Sequence, residues 1–162
     1  MDTLVNKIWW EYIGEDLQQL LETSFVLFEK VSTWEEKLID YSFVVFPAAK
    51  AYEGFLKKLF LEMGFITKED YEGKHLRIGK ELNPYLPKKI ESAGVYPKLV
   101  KFCGGESLAN KLWETWKTSR NLTFHYFPNE KNAITLWEAG DRLEMIIAAF
   151  DLAFKGCKIE DR

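Results

Sequence analysis

The stretch AAKAYEGFLKKLFLEMG, residues 48–64, decides the fold class. Ala48, Ala51, Tyr52, Phe55, Leu59 and Met63 recur at three- and four-residue steps, which is the period of one buried face of an α-helix. Gly64 is placed to end it. Upstream, Pro47 removes one ladder hydrogen bond and crowds the preceding turn. Ser32-Thr33-Trp34-Glu35-Glu36 offers two overlapping capping boxes, Ser32 with Glu35 and Thr33 with Glu36. The expected helix therefore starts at 32–33 and runs toward Met63, with a kink or a broken start near Phe46.

Working outward, the same period returns on both sides. Residues 3–13 read as a short helix, Gly14 as a joint, and Glu15–Val31 as a second helix with Leu17, Leu20, Leu21, Ser24, Phe25 and Phe28 on one face. Thr67 opens a weak helix toward Lys80, interrupted by Gly73 and Gly79. Residues 83–98 carry Pro84, Pro87, Gly94 and Pro97 and form the main irregular excursion. Pro97 suits the first turn of a short helix to about Phe102, stopped by Gly104-Gly105. ESLANKLWETWKTSRNLTFH, residues 106–125, is helical with Leu108, Leu112 and Trp116 inward. A final helix runs from about Thr135 to Phe154 with Leu136, Ala139, Leu143, Ile146, Ile147, Phe150 and Phe154 as its stripe, and Gly156 ends it. No segment reads as a sheet, so the expected class is an all-α bundle in a single domain, residues 1–162.

Composition agrees with that class and excludes others. The 162 residues are 47% hydrophobic and 15% aromatic with only five Pro and ten Gly, which is material for one packed core and excludes intrinsic disorder. The charged N-terminus lacks the basic start and apolar run of a secretory signal, and no segment is long and apolar enough to span a bilayer, so a cytoplasmic protein with no membrane partner is expected. The Asn121-Leu122-Thr123 glycosylation pattern is discounted on that basis. Cys103 and Cys157 give neither a metal spacing nor a disulfide framework, and read as packing residues of a reducing compartment. The net charge of −3 hides an uneven distribution. Residues 1–36 set eight acidic side chains against Lys7 and Lys30, whereas residues 74–101 set Lys74, Arg77, Lys80, Lys88, Lys89, Lys98 and Lys101 against Glu81 and Glu91. That basic stretch reads either as a solvated loop or as a docking surface for phosphates or an acidic partner.

Candidate chemistry is narrow because the chain has two histidines. His75, in a lysine-rich stretch, reads as a surface residue. His125 follows Arg120 in Arg120-Asn121-Leu122-Thr123-Phe124-His125. Arg120 continues the buried series Leu108, Leu112, Trp116, so it is aimed toward the apolar side and needs a partner, a phosphate or an exit to water. On an unbroken helix His125 would lie about 140° round from Arg120. Either the helix loosens after Asn121, or the two groups meet through a second copy of the chain. The bland reading is that Arg120 snorkels at a helix C-terminus while His125 packs beside Tyr126 and Phe127. Glu53, between Lys50 and Lys57, reads as part of an exposed ion-pair ladder. No metal-ligand cluster is visible, and no cofactor is expected.

With those residues in view, the chain resembles the HEPN superfamily, whose ribonuclease members carry an Arg, a polar residue and then a His a few residues on. Arg120, Asn121 and His125 match that motif, and its position just before the last long helix matches too. The segment from Phe46 to Leu56 resembles the family's second core helix, and the combination is most similar to the domain of RNase LS-type toxins. The resemblance covers about residues 36–155, leaving the acidic N-terminal helices and the basic excursion outside. It implies a four- to five-helix bundle, here with additional short helices. It also implies a metal-independent endoribonuclease acting as a homodimer with a composite site. In that picture His125 is general acid or base, Arg120 stabilises the transition state, and Asn121 and Glu53 support them. Lys74, Arg77, Lys80, Lys88 and Lys89 would meet RNA or a partner. A toxin or antiviral-defence enzyme would need an antitoxin or other inhibitor protein. Two other readings stay open: a noncatalytic nucleotide- or protein-binding module of such a system, and a helical adaptor in which the motif is accidental.

Overall fold

The computed structural model describes residues 2–86 and 94–156. Every regular element among them is helical: α1 Asp2–Val5, α2 Trp10–Ile13, α3 Glu15–Ser32, α4 Ser42–Glu62, α5 Lys68–Glu72, α6 Ile78–Glu81, α7 Val95–Cys103, α8 Ser107–Trp116 and α9 Leu136–Gly156. A π turn, Lys117–Asn121, continues α8, and a short 3-10 turn spans Pro128–Glu130. The all-α expectation holds for the described residues.

The bundle is organised around α4, which packs against α3 on one side and α9 on another and touches the π turn; α9 packs in turn against α8. The face expected from 48–64 is the one buried: Ala48, Ala51, Tyr52, Phe55 and Leu59 have essentially no exposure, and Phe55 meets Phe150 of α9 with ring centroids 4.2 Å apart. One apolar cluster runs from Leu4 to Phe154. The N-terminal segment belongs to it rather than lying outside. Trp9 is fully buried and stacked on Phe150, and its Nε1 donates to Asp151 of α9 at 2.7 Å.

Helix α4 begins later than the capping boxes suggest. Ser32 and Thr33 donate their hydroxyls back to the carbonyls of Glu29 and Lys30, at 2.7 and 2.8 Å, and so finish α3. Asp40 opens α4 instead, accepting from Ser42 N at 3.1 Å and Ser42 Oγ at 2.7 Å. The helix then runs continuously through Pro47. The buried Ser24 Oγ of α3 accepts from Ala48 N at 2.8 Å, so a side chain of the neighbouring helix bonds the backbone just after the proline.

Thr67 does cap a helix, in a reciprocal box with Asp70, but that helix stops at Gly73 and α6 forms separately. Helix α7 starts at Val95, two residues before Pro97, so part of the expected excursion is regular; Gly104 closes it with φ +69°. Lys88, Lys89 and Pro87, all assigned to the excursion, lie outside the described residues, as does Cys157. Cys103 is half-buried against the apolar cluster and is not a free thiol, which departs from its reading as a reduced packing residue. Among the described residues no helix is long and apolar enough to cross a membrane.

Candidate active site

The amphipathic face of α8 sets the position of the motif. Leu108, Leu112 and Trp116 are buried as the spacing requires, and Arg120 follows them onto the same side. The helix loosens earlier than expected, at Lys117 rather than after Asn121, through the π turn. Leu122 N donates to Lys117 O at 2.9 Å, the wide i to i+5 pairing that defines such a turn. The chain then leaves the helix, with the Thr123 hydroxyl donating to Thr118 O at 2.7 Å. Widening turns Asn121 toward the following loop, so that its Oδ1 lies 3.1 Å from His125 Nε2.

Arg120 is neither snorkelled into bulk water nor left unpaired. Its Nη2 is 3.7 Å from Glu53 Oε2 of α4, and its guanidinium lies over the Trp116 ring at 5.3 Å. Both charged side chains keep a partial opening to solvent, 40% for Arg120 and 30% for Glu53, so the pair remains accessible to a ligand. Glu53 thus faces the motif from the neighbouring helix.

His125 is exposed, and its loop is tied down by Asn132. The Asn132 amide donates to the carbonyls of Leu122, at 3.1 Å, and His125, while its Oδ1 accepts from Phe127 N at 3.3 Å. Asp40 holds the opposite wall, accepting from Ile134 N at 3.1 Å as well as from Ser42 at the start of α4. Arg142 of α9 donates to the Thr123 hydroxyl at 2.8 Å. Burial pushes the Arg142 guanidinium below its usual range, opposed by the nearby carboxylates of Glu138 and Asp40. Asn132, Asp40 and Arg142 were not singled out by sequence reasoning; Asp40 and Arg142 act from distant segments and Asn132 from within the same loop, and only the Asp-x-Ser spacing at 40–42 carried a local signal.

Three depressions share walls along this end of the molecule. One of about 300 Å³ holds His125 with Asp40, Phe124, Tyr126 and Asn132. A second, about 200 Å³, lies between Phe46, Phe124, Glu53 and Arg120. A third, about 360 Å³, joins Arg120, Asn121 and Glu53 to Arg77 and Lys80 over a floor of Trp113 and Trp116. The structure therefore brings Arg77 and Lys80 of the basic stretch to Arg120. Lys74 is exposed and contributes a backbone carbonyl, which accepts from Arg77 Nη1 at 3.2 Å. Arg120 and His125 line different depressions. Among the described residues no three His, Cys, Asp or Glu side chains gather as a metal site. Compared with family models, curated proteins and solved structures, the chain matches none.

Proposed function

We propose that the protein is an endoribonuclease of the toxin or antiviral-defence type, built on a HEPN-like helical bundle and acting as a homodimer without a metal ion. The observation that carries this reading is the π turn, which sets Asn121 Oδ1 at 3.1 Å from His125 Nε2 while the adjacent Arg120 pairs with Glu53. An amide oxygen only accepts, so Nε2 carries the proton and the neutral ring presents its lone pair at Nδ1. That nitrogen takes the proton of an RNA 2′-hydroxyl as the 2′-oxygen attacks the adjacent phosphorus. The bond from phosphorus to the 5′-oxygen breaks, and the leaving oxygen takes a proton from an imidazolium or water, giving a 2′,3′-cyclic phosphate and a 5′-hydroxyl. Arg120 stabilises the charge that builds on the phosphoryl oxygens, for which its planar fork of donors is suited. DNA lacks the nucleophile and is spared.

Two further features support a dimer. Arg120 and His125 of one chain open into separate depressions, and a second copy supplies the missing partner to each. Phe46, Leu122, Tyr126 and Phe127 leave an apolar rim around the motif exposed. A protein inhibitor held against the same rim would silence the enzyme in its host. The separation of the two depressions also favours a second reading, a noncatalytic binding module in which the motif never assembles. Incubation of purified protein with RNA, with and without EDTA, decides between them. Wild type should cut in both conditions, and His125→Ala and Arg120→Ala should lose at least 100-fold, about 2.7 kcal/mol in barrier. Equal cutting by all three proteins would remove the proposed site, and absence of cutting by wild type would leave the binding module.

A further inference from the structure

We infer that the cleft between α6 and the π turn holds a backbone phosphate of the RNA strand, one neighbouring the phosphate that is cut, and that Arg77 and Lys80 grip it. The inference rests on the ribonuclease reading and adds a strand-binding subsite to it. Three cations, Arg77, Lys80 and Arg120, face one carboxylate, Glu53, across about 360 Å³ of open space. Glu53 is already engaged with Arg120, which leaves the cationic side of the cleft in excess. Arg77 and Lys80 are exposed, so a ligand reaches them without desolvating a buried charge.

The floor of the cleft is aromatic, formed by Trp113 and Trp116. Gly79 fixes the geometry. A Cβ at that position would lie 2.6 Å from Trp116 Nε1, so only glycine lets the α6 backbone close onto the indole and bring Arg77 and Lys80 alongside Arg120. The cleft shares Arg120 and Glu53 with the next depression, which shares Phe124 with the His125 depression. That continuity favours a strand running past the motif over a free nucleotide confined to one pocket.

The experiment uses a fluorescein-labelled 2′-O-methyl oligonucleotide, which the proposed chemistry cannot cut, and follows its binding by anisotropy over a range of salt. Arg77→Gln and Lys80→Gln should each weaken binding several-fold and flatten the plot of log affinity against log salt by about 0.7, the loss of one phosphate contact to a single strand. Lys68→Gln, on α5, should leave both quantities unchanged. Unchanged slopes in the two cleft variants overturn the subsite, and so does displacement of the strand by adenosine monophosphate, inorganic phosphate or a polyglutamate peptide at comparable concentration. Cleavage of unmodified RNA by wild type is scored separately. Cutting with unchanged slopes keeps the ribonuclease reading and removes the subsite; flattened slopes without cutting keep a strand-binding cleft and remove the ribonuclease reading.

Discussion

At the residue scale the decisive contact is Asn121 with His125. Because Asn121 Oδ1 lies 3.1 Å from Nε2, replacing the amide by a carboxylate places a negative charge against the imidazole. The charged ring is favoured over the neutral base, so Asn121→Asp should lower RNA cleavage at neutral pH several-fold in the same assay, and unchanged cleavage would remove this contact from the mechanism. Glu53→Gln probes the other half of the motif. The pair with Arg120 is partly exposed, so its loss should shift stability by less than about 1 kcal/mol while cleavage falls because Arg120 is no longer held over Trp116. The contacts of Asn121 with His125 and of Glu53 with Arg120 were open to sequence reasoning because Arg120, Asn121 and His125 lie close along the chain and Glu53 sits on a strongly periodic neighbouring helix. Asn132, Asp40 and Arg142 were not, since an Asn that staples a loop from seven residues away looks like any other loop Asn until the chain is folded.

At the element scale the helices followed their apolar periods, whereas their ends followed competition for hydroxyl groups. The Ser32 and Thr33 boxes failed because both hydroxyls complete the preceding helix, while Thr135 caps α9 in a reciprocal box with Glu138. Thr135→Ala should therefore cost about 1 kcal/mol in chemical denaturation, and Ser32→Ala less than about 0.5 kcal/mol. The π turn makes a sharper claim. Sequence spacing showed that a regular helix cannot serve Arg120 and His125 together, but not where the helix would widen, because one inserted residue per turn leaves no mark in the apolar period. Widening buries Ser119, whose hydroxyl finds no partner. A buried hydroxyl without a partner contributes nothing to stability, so Ser119→Ala should leave the denaturation midpoint unchanged or raise it. A clear loss would mean that the hydroxyl has a partner in solution.

At the scale of the whole molecule, the uneven charge of the sequence resolves into two structural roles. The basic side chains at 77 and 80 reach the motif, while the N-terminal segment is locked to the far helix rather than free to dock elsewhere. The lock is Asp151, which accepts from Lys7 Nζ and Trp9 Nε1, both at 2.7 Å. Burial alone would push the Asp151 carboxyl up, but the hydrogen bonds from Lys7 and Trp9 outweigh it and hold the group below the usual carboxylate range. A carboxyl depressed on folding adds stability that is fully present above its unfolded pKa, about 3.9, and is lost as pH falls through the lower folded value. Asp70 and Glu138 are depressed as well, by their Thr67 and Thr135 partners, so the acid limb of wild type alone does not isolate the lock. The difference between wild type and Asp151→Asn does. Urea midpoints should differ most near neutral pH and begin to converge only below about pH 3.9, the unfolded value, because the folded carboxyl takes up its proton at a lower pH still. The variant should also expose Trp9, seen as a red-shifted tryptophan emission, if the lock is what seats that ring on Phe150. A midpoint difference that stays constant down to pH 2.5 would assign the loss to packing of the asparagine and not to the charge on Asp151.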